Sequence, residues 1–473
     1  MDYKFSNLQI GDNDLIGNKF NGHDLHLHLR ERGINAFHYV YNKESKDDST
    51  FIYSNNDRHM TLNLVRSRKF VEADIVHLHL IHNTNFDINY LPLITSLKPT
   101  VITLHDAFFL AGHCLHSEEC EKWKQCCYDC TRMDTPKYIE KDETALLYEI
   151  KRQAFQNSSI SIIVASDFLH DRVLQSPIMS GKKVFKIPFG INQELFKPYD
   201  IVLAKRKIGI DENQFVLMFR ADPTKYKGIN IIKDCLEKLP SENNYVILTV
   251  GFKGLLDKFK KKFHIIEHDW IKDDKYLSSL YQACDIFLMP SEQEAFGMMA
   301  IEAMSCGKTV LSIKNTSLEK VTNAPECGVC VDKEDYFETL VNLINNKDEL
   351  QLRGEKSLNY ALQNFAKEVY IDRMILAYEE IIRTFNPVRN ASLVVDQLSK
   401  HGAIDFPASF SRNANSAIVS DWELAGGDYA DYTKTISWRI TKPLRFLSKI
   451  KRYVAKHGII KTVKKIFEKL LHS

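Results

Sequence analysis

The stretch Pro290-Ser-Glu-Gln-Glu-Ala-Phe-Gly-Met-Met-Ala-Ile-Glu-Ala-Met-Ser-Cys-Gly307 carries two carboxylates, Glu294 and Glu302, eight residues apart. It follows an apolar strand pattern and opens a helix that Gly307 can stop. Eight residues are close to two helical turns, so both carboxylates return to roughly one side. The first amides of such a helix, around Phe296, Gly297, Met298 and Met299, have no intrahelical partner. They point outward with the positive end of the helix dipole, which suits a phosphate or a sugar oxygen. One carboxylate can meet a sugar while the other accepts hydrogen bonds from two ribose hydroxyls. Alone, two glutamates at this spacing describe a solvated helix face equally well.

Other residues could complete that chemistry. Phe219-Arg220-Ala-Asp-Pro-Thr-Lys225-Tyr-Lys227-Gly228 places cations at a strand-to-helix turn, where they could stabilise the charge of a departing diphosphate without a metal. His105 and Asp106 fall at the carboxyl end of a strand pattern, with Asp106 positioned to orient the imidazole. Gly11 to Gly22, with Gly17 between them, occupies the first strand-to-helix loop. It is not a dinucleotide-binding G-x-G-x-x-G. Asp12-Asn13-Asp14 has a metal-binding D-x-D form but reads as a solvated turn.

These residues must be held by alternating strands and helices. Ala36–Tyr41, Asp74–Leu80, Thr100–Leu104, Ile160–Ala165 and Val184–Ile187 read as short strands. A second series follows at Phe215–Phe219, Tyr245–Val250, Phe263–Ile266, Asp285–Met289 and Thr309–Ile313. Strands separated by helical patterns predict α/β architecture with parallel sheets. Asp24–Gly33 reads either way: its leucines alternate, yet Gly33 resembles a helix stop. Prolines at 188 and 198 stiffen a connector, so the boundary falls near 198. The division is 1–198 for the first domain, 199–365 for the second, and 366–385 for an amphipathic helix packing back on the body. A linker, 386–433, and a basic tail, 434–473, complete it. Ligands of open α/β sheets bind at the carboxyl ends of the strands, so two facing domains would build one cleft.

The motifs resemble retaining glycosyltransferase family four. The Glu motif has that family's form S-x-x-E-x-F-G-x-x-x-x-E-A-M-x-x-G, and Arg220…Lys227-Gly228 is similar to its Arg…Lys-Gly segment. Spacing departs here: Lys225 lies at the usual distance from Arg220, but Lys227 adjoins the glycine and is preferred. The resemblance covers about residues 5–385 and implies a GT-B fold of two facing Rossmann-like domains, the second binding a UDP- or GDP-sugar. It implies roles for Glu294, His105, Arg220 and Lys227 in transfer. It also implies that Glu302, Phe296, Gly297, Met298, Met299 and Gly17 bind the donor. Glu294 would position the sugar, since no carboxylate pair brackets the cleft as in glycosidases. Two rivals are opposed by the motifs present: a nicotinamide oxidoreductase and an epimerase or phosphorylase on a similar fold. An inactive sugar-nucleotide-binding scaffold is the alternative.

Five cysteines fall between Cys114 and Cys130. Gly112-His113-Cys114, Cys120, Trp123, Cys127 and Cys130 closely resemble a subgroup of the family associated with colanic acid and other exopolysaccharides. Four thiols at this spacing, Cys114, Cys120, Cys127 and Cys130, suggest a structural zinc, with plain buried thiols as the other reading.

Net charge is +2, which favours neither nucleic acid nor membrane. Residues 434–473, however, hold 12 Lys or Arg and one acidic residue, Glu468, so the tail carries +11 and the rest 2 − 11 = −9. Leu444, Leu447, Ile450 and Val454 form one apolar stripe, and Ile460, Val463, Phe467 and Leu470 another. A basic amphipathic tail predicts an anionic membrane surface as partner. No secretory signal or spanning segment is read, so the expected place is the cytosol, peripherally on the inner face of the membrane. The acceptor would be a lipid-linked or oligosaccharide glycan.

Overall fold

The computed structural model describes residues 5–386, apart from 54–59, 134–136, 138 and 242–244. Nearly all of the 386–433 and the whole 434–473 segments therefore lie outside the described residues.

Seven strands form the first sheet: β1 (Ser6–Asn13), β2 (Asn35–Asn42), β3 (Thr50–Ile52), β4 (Ile75–His79), β5 (Thr100–Leu104), β6 (Ile160–Val164) and β7 (Val184–Lys186). Their order is β3-β2-β1-β4-β5-β6-β7, every pair parallel. Six more form the second: β8 (Phe215–Ala221), β9 (Tyr245–Gly251), β10 (His264–His268), β11 (Ile286–Met289), β12 (Thr309–Ile313) and β13 (Val329–Val331). Their order is β10-β9-β8-β11-β12-β13, again parallel throughout. Both are Rossmann-like sheets whose order reverses beside the first strand, at β1/β4 and β8/β11. Crevices open at such switch points. Helices must cover both faces, and this explains why β4, β5, β6, β9 and β12 are buried along their whole length.

Asp24–Gly33 lies almost entirely in a helix, His23–Glu31, which buries Leu25 and Leu29 against the first sheet. Three strands were not named from the sequence: β1, β3 and β13. β1 is the instructive one. Its buried Asn7 and Gln9 look wrong for a central strand, but partners distant in the chain satisfy Gln9. Gln9 bonds the Tyr378 hydroxyl at 3.0 Å and His79 at 2.7 Å.

Tyr378 belongs to the long helix Lys367–Thr384, which follows the second domain yet packs on the first. Besides Gln9, its hydroxyl meets His77 at 2.6 Å, and Asp372 on the same helix pairs with Arg32 at 3.1 Å. Ile191 after β7 also pairs with Ala366. The chain thus crosses between the domains twice, and the two crossings touch.

The Asp12-Asn13-Asp14 run is a correction to the sequence reading. It is a buried carboxylate knot and not a solvated turn: Asp12 and Asp14 are 6% and 0% exposed. Asp14 accepts backbone N–H bonds from Leu15, Glu44 and Ser45, and Asp12 accepts from the Asn83 amide. Burial works to raise the Asp14 pKa, but these bonds lower it on balance. No helix among the described residues is long and apolar enough to cross a membrane.

Candidate active site

The second-domain wall of the interdomain cleft is built by two turns that touch. Lys227 ends a single 3-10 turn after β8, and Gly228 then starts the helix Ile229–Lys238 with φ +79°. A Cβ on Gly228 would lie 2.0 Å from the carbonyl oxygen of Pro290, so only glycine permits this approach. Pro290 leads into the Glu-bearing segment. The close approach therefore fixes Lys227 against Glu294, whose carboxylate accepts from Lys227 Nζ at 2.8 Å. The side chains are 14% and 16% exposed. Burial raises the Glu294 pKa, but the Lys227 charge and hydrogen bond, with help from His116 and Arg220, hold it below the usual range. Lys225, the rival cation, is exposed and does not line the cavity.

Arg220 is the penultimate residue of β8, at the cavity edge. It pairs with Asp222 and lies over the Trp270 ring at 4.6 Å. Its Nε is buried and without a partner, so a donor remains for a ligand. Helix Met298–Ser305 begins after Gly297, at φ +103°, where a Cβ would strike Leu318 at 2.5 Å. Phe296, Gly297, Met298 and Met299 all line a cavity of ≈ 200 Å³, together with Arg220, Lys227, Glu294, Ser291 and, from the first domain, Phe20, His105 and Phe189.

His105 follows β5 and lies flat on Phe189, centroids 5.6 Å apart and planes within 5°. Its Nε2 is 3.3 Å from His79 Nδ1. Burial lowers its pKa to about 4, so the imidazole is neutral near pH 7. Asp106 does not orient it. The Asp106 carboxylate turns away to His82, 3.2 Å distant, and accepts the Phe108 N–H at 2.8 Å. A carboxylate beside a strand-end histidine in sequence faces the opposite side of the extended chain, and this accounts for the difference.

Glu302 lies outside this cavity. It is 3% exposed and accepts from Lys19 of the first domain and from the Tyr281 hydroxyl, at 2.5 and 2.9 Å. Lys19 also meets Asp274 at 2.8 Å. Gly17 does not line the cavity; it lies against the Phe20 ring, and Phe20 is the residue of that loop that does. Sequence reasoning missed Lys19, Phe20, Phe189 and His116. His116 faces Tyr226 at 4.9 Å and feels the charges of Lys227 and Glu294. Only Lys19-Phe20, inside the glycine-bearing loop, carried a sequence signal.

The thiols of Cys114, Cys120, Cys127 and Cys130 do not converge: no three of them bring their sulfurs within 4.8 Å of one another. Cys127 Sγ instead accepts the Gly112 N–H at 3.2 Å, and Cys130 lies 3.5 Å from His113 Nε2. Burial pushes the Cys127 thiol up to about 11 and raises Cys114. The arrangement does not fit a tetrahedral zinc centre. What ties the loop down is Lys151, buried, with its ammonium donating to the carbonyls of Phe108, Ala111 and Gly112.

Comparison with known proteins agrees with this geometry. Residues 202–367 match the family model described as Glycosyl transferases group 1. D-inositol 3-phosphate glycosyltransferase 1 of Catenulispora acidiphila is 26% identical over 220 residues, which cover 42% of this chain and 52% of that protein. Alpha-galactosylglucosyldiacylglycerol synthase of Streptococcus pneumoniae is 24% identical over 229 residues, covering 46% and 60% respectively. The chain thus spans about half the length of the curated relatives it matches. The solved structure of Anabaena HepE in complex with UDP and glucose aligns with TM-score 0.59 at 15% identity, over 80% of this chain and 100% of that one. At that identity the likeness defines the fold: two facing Rossmann-like domains.

Proposed function

We propose that the protein is a retaining glycosyltransferase that moves a sugar from a nucleotide-sugar to a glycan acceptor, lipid-linked and bound for surface polysaccharide. The observation that carries this reading is the Lys227–Glu294 pair beside Arg220 at the mouth of helix Met298–Ser305. Two cations and free helix amides face one cavity, an electrostatic setting for a diphosphate leaving group. Glu294, held ionised, accepts hydrogen bonds from sugar hydroxyls. His105, neutral, offers a hydrogen bond to the sugar from the first domain.

Glu302 is the ribose ligand in this account. Its partner Lys19 must then yield or rearrange as the donor enters. The glycolipid product named for the Streptococcus pneumoniae relative supports a lipid-linked acceptor. The cysteine-rich loop supports placement near the colanic acid subgroup. We further propose a cytoplasmic location against the inner membrane face, on the +11 charge of residues 434–473. Incubation with a panel of nucleotide-sugars and a membrane lipid extract tests the reading. The expected result is release of a nucleoside diphosphate from one donor, coupled to a glycosylated lipid. Release from no donor, or the same release by Glu294→Ala and Arg220→Ala variants, refutes it.

A further inference from the structure

Three histidines of the first domain take no part in the cleft. His23 and His26 lie one turn apart on helix His23–Glu31, and His38 projects from the adjacent strand β2. They are 4%, 0% and 0% exposed. Their ring centroids form a triangle with sides of 5.1, 5.7 and 5.3 Å. One ligand atom from each ring lies within 4.8 Å of those of the other two, and among the described residues this is the only such group of three.

The hydrogen bonding of the triangle is incomplete in a telling way. Nδ1 of His23 and both ring nitrogens of His38 are buried without a partner. Buried polar atoms in a folded core are nearly always satisfied, so three in one knot call for a missing partner. His26 shows its chemistry most clearly. Its Nε2 bonds the Asp47 carboxylate at 3.0 Å and the Ser49 hydroxyl at 3.0 Å. With Nε2–H donated to Asp47, Nδ1 is the nitrogen left with a lone pair for a cation. A carboxylate behind a histidine in this way is the usual outer support of a metal-ligating imidazole. Asp14 supplies a second buried negative charge that acts on His23 and His38, so a dication here would be balanced by two carboxylates.

We propose that His23, His26 and His38 form a binding site for a zinc-class divalent cation, clamping helix His23–Glu31 to β2 beneath the loop that carries Lys19 and Phe20. Three neutral imidazole nitrogens suit a borderline cation such as zinc over calcium or magnesium, which take oxygen ligands. The clamp lies where that loop is rooted. The Asn21 side chain, two residues before His23, donates to the carbonyls of Asn13, Asp14 and Ile16. Gly11 of β1 backs onto His38, with a Cβ there lying only 3.2 Å from Nε2. The role is structural, and it is independent of the sugar-transfer reading.

The test uses the full chain, stripped with a chelator and dialysed against zinc alone. Elemental analysis should find about one zinc per chain, and the melting temperature should rise with zinc and fall again with chelator. His38→Asn and His26→Gln should each lose at least tenfold in zinc affinity. Cys114→Ser and Cys130→Ser should leave the zinc content unchanged. Cobalt in place of zinc gives visible absorption whose intensity reports a low-coordinate nitrogen site, so wild-type protein alone also decides the matter. No zinc or cobalt uptake by folded wild-type protein overturns the proposal. Zinc lost with the cysteines, or retained by both histidine variants, overturns it equally.

Discussion

Replacement of Lys227 by alanine is the perturbation whose size the geometry fixes best. Nζ sits 2.8 Å from Glu294 Oε2, in a pair whose side chains are 14% and 16% exposed. A charge of one unit developing ~4 Å from that ammonium, in a site of effective dielectric ~20, is stabilised by ~4 kcal/mol. At about 1.4 kcal/mol per decade, this is ~10³ in rate, near the top of the ~10²–10³ lost when one preorganised donor is removed elsewhere. Some water reaches the pair, so the lower part of that range is expected. Lys225 faces solvent outside the cavity, and Lys225→Ala should retain turnover within about twofold. The assay is steady-state release of nucleoside diphosphate, with the melting temperature of each variant measured alongside. The Lys227 side chain donates to Glu294 and its backbone N–H only closes its own turn, so a folded, inactive variant is the predicted outcome. Near-normal turnover in Lys227→Ala, with loss in Lys225→Ala, would refute the reasoning and return the role to the lysine at the commoner spacing.

Glu302→Ala should weaken donor affinity, seen as a rise of ~10-fold or more in the donor Kd by calorimetry, because ribose loses its charged acceptor. Unchanged affinity removes the ribose role. Stability should fall between pH 7 and pH 5. Burial lowers the pKa of His105 to about 4 and puts His77 and His79 well below their ordinary value. The unfolded chain therefore takes up protons near pH 6.5 that the folded one refuses, and stability drops as pH falls through that window. A melting temperature flat from pH 7 to pH 5 contradicts this. Residues 434–473 should carry the chain to anionic vesicles in co-sedimentation, each basic residue near the surface adding ~1 kcal/mol. Equal pelleting of the full chain and a truncation after Thr433 would exclude the tail as anchor.

Much of the second domain was legible because its signals are local. The strand Thr309–Ile313 shows up as a short run rich in β-branched residues, and a glycine pair with fixed contacts marks the Lys227 and Glu294 turns. The first domain hid its design in long-range pairing. β1 reads as polar until Tyr378, 369 residues after Gln9, supplies the missing hydrogen bond. Asp106 sits next to His105 in sequence but serves His82, because neighbours on an extended chain face apart. Asp14 reads as a turn aspartate, and only the return of the chain at Glu44 and Ser45 shows why it is buried. Spacing suggested a metal centre among the cysteines, whereas the convergent ligands are histidines brought together by helix and strand packing. The glycine-bearing loop pointed to the neighbourhood of Lys19 but not to its role, because its partners, Asp274 and Glu302, belong to the other domain.

Binding of a nucleotide-sugar through its diphosphate in the cleft between the two sheets is read out by thermal denaturation with a panel of donors. A ligand at 100 times its Kd stabilises the folded state by about 2.7 kcal/mol. One nucleotide-sugar should therefore raise the melting temperature of the wild-type protein by several degrees, with the free nucleoside diphosphate giving much of the effect. The shift should vanish in the Arg220→Ala, Lys227→Ala double variant. A panel in which no nucleotide-sugar shifts the wild type, or one whose shift survives in that variant, contradicts the account.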